Sequence, residues 1–169
     1  MGEDKEMTRN AVLSACGLYR YSLGRSWGYG GRTALWVMLN PSTADAEQDD
    51  ATIRRCIGFS RAWGYDGLRV VNLLAYRATH PRDMPAVLRD AIGPENDWHI
   101  ERAIESASIV IAAWGATPFA TSRARTVVRM ITAKTDLHCL RLTKGGHPAH
   151  PVRLPASLMP IVYATRSSS

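Results

Sequence analysis

Apolar positions along this chain fall into short runs of strand length, separated by stretches in which they recur three or four residues apart. Residues 33–39 (TALWVML), 68–74 (LRVVNLL) and 108–115 (SIVIAAWG) are near-continuous apolar runs, the pattern of strands buried on both faces of a parallel sheet. Residues 138–143 (HCLRLT) are read as a fourth strand of this set. Residues 18–23 (LYRYSL) alternate apolar and polar, the period of a half-buried strand. Between the runs lie helices. Asp49 and Asp50 stand where an N-cap belongs, ahead of Ile53, Cys56 and Ile57 at helical spacing. Residues 97–107 carry Ile100, Ile104 and Ala107 along one side. Residues 119–134 turn Val127, Val128 and Ile131 inward and most of their basic residues outward.

Strands alternating with helices imply right-handed crossovers. The expected fold is therefore α/β, three layers in the order α/β/α, around a central and mostly parallel four-stranded sheet. Residues 1–16 are expected to form a flexible leader or short first helix, 17–163 a single α/β domain, and 164–169 a frayed tail. In such sheets ligands collect outside the carboxyl ends of the strands. Asn40-Pro41-Ser42-Thr43 follows the first buried run, Asn72 lies near the end of the second, and His147-Pro148-Ala149-His150-Pro151 follows the fourth. Distant parts of the chain thus bring their polar residues to one rim.

Composition narrows the class. The chain has 169 residues, 46% of them hydrophobic and 21% charged, which is a globular balance with room for one full core. No stretch approaches the ~20 consecutive apolar residues of a spanning helix, so no membrane partner is expected. The polar, acidic N-terminus does not read as a secretory signal. Cys16, Cys56 and Cys139 stand singly beside apolar residues, as buried thiols of a reducing cytoplasm would. The net charge of +6 attracts phosphate, on nucleic acid or on a nucleotide. The arginine series Arg123, Arg125, Arg129 with Lys134 is read as a solvated helix face.

Taken alone, each loop has an ordinary explanation in turn chemistry. His147 and His150 are not read as a metal pair, because Pro148 and Pro151 break any helical face and no carboxylate or cysteine is near in sequence. No metal or cofactor is expected. A triad of Ser42, His150 and Asp45 or Asp50 lacks the Gly-x-Ser-x-Gly elbow. The tryptophans read as core, with Trp27 in the glycine loop the exception.

The order of the motifs adds to this. Leu39-Asn40-Pro41, the strand-end Asn72 and the closing His147-Pro148 with Arg153 and Pro155 together resemble the uracil-DNA glycosylase superfamily, over roughly residues 33–157. Asp50-Ala51-Thr52 occupies the stretch where that resemblance implies a stacking aromatic. The chain is also similar to a bacterial and phage family catalogued as a domain of unknown function, number 1643. That likeness rests on Leu39–Ser42, Asp49–Thr52 and His147–Pro151. The superfamily resemblance implies a glycosylase-like hydrolase that cleaves the N-glycosidic bond of a nucleobase in DNA or in a nucleotide. It gives Asn40 the positioning of a water and His147 the stabilisation of a leaving anion. Pro41, Ser42, Thr43, Asp50, Asn72, His150 and Arg153 then contact substrate. A non-catalytic module that binds a nucleobase or nucleotide in the same pocket is the alternative, and an ester hydrolase using Ser42 a third.

Overall fold

The computed structural model describes residues 6–42 and 46–168. Among them are seven strands in one sheet and four α-helices. The strands are β1 (Thr8–Leu13), β2 (Arg20–Ser26), β3 (Thr33–Met38), β4 (Gly67–Asn72), β5 (Ile109–Ala112), β6 (Leu137–Cys139) and β7 (Ile161–Ala164), in the spatial order β1-β2-β4-β3-β5-β6-β7. The helices are α1 (Ala51–Ala62), α2 (Leu88–Ile92), α3 (Asn96–Ser106) and α4 (Thr121–Thr132).

The four predicted runs become the central strands β4, β3, β5 and β6, which are parallel to one another. The sheet is larger than the expected four strands because antiparallel strands extend it at both sides. One of these came from a segment expected to be loose. Thr8–Leu13 is a strand rather than a leader or helix, and its mostly exposed residues explain why no core pattern marks it. Beyond β7, Arg166 N donates to Asp136 Oδ1 at 2.6 Å and Ser167 N to the Thr132 carbonyl at 2.8 Å, so the tail is tied down rather than frayed.

The sheet is covered on both faces. One core joins Leu35, Val37, Val71 and Val110 to Ile100 and Ile104 of α3 and to Val127 and Ile131 of α4. The other joins Ala34, Trp36, Val70 and Ile111 to Ile53, Cys56 and Phe59 of α1. Burial on this scale supplies the main folding force, on the order of 1.5–3 kcal/mol for each large apolar side chain. Trp36 shows how closely the second layer is keyed: its indole donates to Ser60 Oγ at 2.9 Å and stacks on Trp63 with centroids 5.7 Å apart.

Two-sided cover also changes the reading of β2. The alternating strand is buried along nearly its whole length, Arg20, Ser22 and Arg25 included. Arg25 reaches Asp49 Oδ1 at 2.8 Å, which pins the approach to α1 against the sheet. Of the cysteines, Cys56 and Cys139 are buried and Cys16 is exposed. Among the described residues no helix is long and apolar enough to cross a membrane.

Candidate functional site

From β3 the chain crosses to β4 on one side and later returns to β5 on the other. The reversal leaves a crevice at the carboxyl ends of these strands. There lies a cavity of about 220 Å³, with polar lining from Arg20, Asn40, Ser42, Asp50, Thr52, Asn72 and His150 and apolar lining that includes Met38, Ile53, Val70 and Trp114.

Asn72 is the last residue of β4 and is 1% exposed. Neither its Nδ2 nor its Oδ1 has a hydrogen-bond partner. Its backbone, by contrast, is firmly held. Asn96, at the start of α3 and fully buried, donates through Nδ2 to the carbonyls of Asn72 at 2.9 Å and Leu73 at 3.2 Å. Arg123 Nε donates to the same Leu73 carbonyl at 2.8 Å, and its Nη2 stands 2.6 Å from the Asp97 carboxylate. Arg123 is therefore not part of a solvated helix face. It is buried and braces the end of β4.

Asn40 follows β3. Its Nδ2 donates to the carbonyls of Pro41 at 3.0 Å and Ala78 at 2.9 Å, which leaves Oδ1 as the end of the amide able to accept from a water or ligand. Asp50 divides its oxygens. Oδ1 accepts from Ile53 N at 2.8 Å and caps α1, and Oδ2 accepts from Ser42 Oγ at 2.5 Å. Of the adjacent acids, Asp50 is thus the cap and Asp49 the partner of Arg25.

The segment after β6 is clamped to the rim. Gly115, at a φ of +73° that favours glycine, donates to the Pro148 carbonyl at 2.8 Å, and Ala149 N donates to the Arg141 carbonyl at 2.8 Å. The clamp separates the two histidines. His150 lines the cavity with Asn40 and Asn72. His147 lines a second cavity, of about 420 Å³, together with Arg125 and Arg129 of α4. His147 therefore does not stand with Asn40, contrary to the role expected of it. His150 Nδ1 accepts from Val152 N at 3.3 Å, which assigns the proton of the neutral ring to Nε2. Burial lowers its pKa from the ordinary value, against an opposing pull from Asp50.

The remaining expected residues scatter. Pro41 is buried and takes part through its carbonyl. Arg153 lines neither cavity, is exposed, and holds a φ of +74°. Thr43 and Asp45 lie outside the described residues. Two lining residues carried no sequence signal of function. Arg20 read as the outward position of an alternating strand, and Trp114 as the end of an apolar run. Trp114, rather than Trp27, supplies the aromatic wall and borders both cavities. Trp27 instead donates to the Tyr65 carbonyl at 2.9 Å and lies under Arg61. Ser42 is not activated by histidine, since its hydroxyl goes directly to Asp50, and His150 Nδ1 is engaged elsewhere. Among the described residues no group of three or more His, Cys, Asp or Glu could hold a metal ion.

No curated protein and no solved structure matches the chain. A family model does, over residues 20–152. That span opens on Arg20 and runs past His150, so all the polar lining of the first cavity falls inside it. The chain belongs to the family described as "Protein of unknown function (DUF1643)".

Proposed function

We propose that this protein takes a nucleobase into the cavity at the strand ends and hydrolyses its N-glycosidic bond. The observation that carries the reading is Asn72, a buried amide with a free donor and a free acceptor bordering a cavity. A base edge presents the complementary pair, and an amide serves both at once. A cavity of about 220 Å³ is smaller than the ~300–1,000 Å³ typical of drug-sized ligands, which suits one flat heterocycle. Trp114 and Ile53 supply apolar walls for its faces.

In this reading His150 replaces His147. Its Nε2 proton is the donor for a carbonyl oxygen on which charge develops as the base leaves. Asn40 Oδ1 accepts from the attacking water and orients it. Cleavage through an oxocarbenium-like state depends on this positioning more than on a strong base: the C–N bond breaks, the water oxygen bonds the sugar carbon, and the proton that water loses ends on the departing base anion.

One observation favours the binding-only alternative: Asp50, the cavity's carboxylate, is committed through Oδ1 to the cap of α1 and through Oδ2 to Ser42, the contacts of a structural residue. The same experiment separates the two. Excess enzyme is mixed with oligonucleotides and free nucleosides carrying deaminated or alkylated bases, and released base is read by chromatography. Release that falls about 100-fold or more in folded Asn40→Ala and His150→Ala variants supports hydrolysis. Saturable, Asn72-dependent binding without release supports the module. Release that survives Asn40→Ala, Asn72→Ala and His150→Ala refutes the site.

A further inference from the structure

The second cavity differs from the first in charge. The first holds Arg20 against Asp50 with a neutral-leaning His150, a balanced set suited to an uncharged ligand with polar edges. The second is lined by Arg125 and Arg129, one turn apart on α4, with His147 and Thr121, and no carboxylate is among its lining residues. Neither arginine makes an ion pair among the described residues, although Arg123, two positions before Arg125, pairs with Asp97. Two guanidinium forks and an imidazole are a donor set that phosphate oxygens call for, the Thr121 hydroxyl being spent on the carbonyls of Pro118 and Thr117. Trp114 and Tyr163, edge to face with centroids 6.3 Å apart, add an aromatic wall.

The cavities are neighbours. Trp114 borders both, and His147 and His150 are three residues apart on one clamped loop. Their Cα atoms are thus no more than ~11 Å apart, the reach of about three stacked nucleotides of one strand. We infer that the second cavity is a phosphate subsite, built by Arg125 and Arg129, for the nucleotide whose base enters the first cavity or for a strand that carries it. This rests on the nucleobase reading of the first cavity. It adds that the ligand is phosphorylated and lies across Trp114.

The test compares the wild type with Arg125→Gln/Arg129→Gln and with Arg89→Gln/Arg102→Gln. The second pair makes the same charge change at exposed arginines that line neither cavity. Probes are the four deoxynucleosides, their 5′-monophosphates, and labelled mixed-sequence DNA and RNA dodecamers, titrated between about 50 and 200 mM salt. Loss of two phosphate contacts lowers the slope of log affinity against log salt by about 1.4 for a single strand. Affinity at low salt falls at least about tenfold. Both changes appear in Arg125→Gln/Arg129→Gln and not in the control pair. Equal loss for the monophosphates names a free nucleotide as the source, and loss for the dodecamers alone names a phosphodiester strand. The inference is overturned if no phosphorylated probe binds the wild type, if affinity and slope survive in Arg125→Gln/Arg129→Gln, or if the control pair reproduces the effect. Asn72→Ala reports on the other cavity. Unchanged preference among the bases in that variant ends the nucleobase reading and leaves the phosphate result standing.

Discussion

Replacing Asn72 by leucine separates an amide kept for a ligand from one kept for the fold. The two side chains have similar size, and the strand pairing and the Asn96 bond to the Asn72 carbonyl involve only backbone. What changes is the amide, buried with donor and acceptor both unpartnered. An unsatisfied buried polar group costs about 1–3 kcal/mol, and an apolar group of the same shape escapes that cost. Asn72→Leu is therefore expected to stabilise the ligand-free protein by about 1–3 kcal/mol. In a chain of this length each kcal/mol raises Tm by about 2–4 °C. Urea denaturation measures the free energy, and an unchanged m-value certifies that the folded and unfolded states are otherwise alike. The same variant should lose nucleobase binding and release, a gain in stability coupled to a loss of function as at other strained sites. A loss of 1 kcal/mol or more at constant m would show that the amide is satisfied in the free protein, and the case for a ligand would lose its main observation.

Asn96→Leu should have the opposite sign, a loss of about 1–3 kcal/mol by urea denaturation, because its Nδ2 serves two buried carbonyls. Asp50→Ala should lose about 0.5–2 kcal/mol with its cap to Ile53 N, while Asp50→Ser keeps the cap. Base release that falls alike in both variants then reports on the bond to Ser42 rather than on helix stability. Burial depresses the pKa of His150, against Asp50, and that of His99, stacked on Tyr21 at 4.7 Å, against Glu95. The folded protein thus resists protons that the unfolded chain accepts near the ordinary value of 6.5. These groups cost no stability above that pH, and stability declines as pH falls below it. His150→Gln and His99→Gln should each shallow that decline in urea midpoints taken between about pH 8 and pH 5. A serine-directed fluorophosphonate should leave Ser42 unlabelled in mass spectrometry, since no histidine activates it.

The parts of the fold and site that were legible rest on periodicity. Runs such as 33–39 and 68–74 have the length and apolar content of strands buried on both faces, and the carboxyl-end rule placed Asn40, Asn72, His147 and His150 at one rim, of which all but His147 line one cavity. What escaped was which faces are covered and how loops fold back. Arg20 occupies a polar position of an alternating strand, and alternation assigns a face without saying whether anything packs on it. The arginines of α4 held a signal that went unused. Arg123, Val127 and Ile131 are four residues apart and form one buried stripe, so Arg123 belongs to the core face. Arg125 and Arg129 form another stripe, turned toward the second cavity.

The histidines could not be assigned this way, because a loop with two prolines has no period. Their separation is fixed by contacts remote in sequence: Gly115 holds Pro148, and Arg141 holds Ala149. Residues on either side of this clamp enter different cavities, both bordered by Trp114, so a shared loop does not imply a shared site. The same geometry gives His147→Ala and His150→Ala different expected phenotypes. The first should weaken phosphorylated probes and spare the chemical step measured at saturating substrate. The second should slow base release even when binding is saturated. Equal effects of the two substitutions on both quantities would mean that the cavities act as one site, and that the division made by Trp114 does not operate in solution.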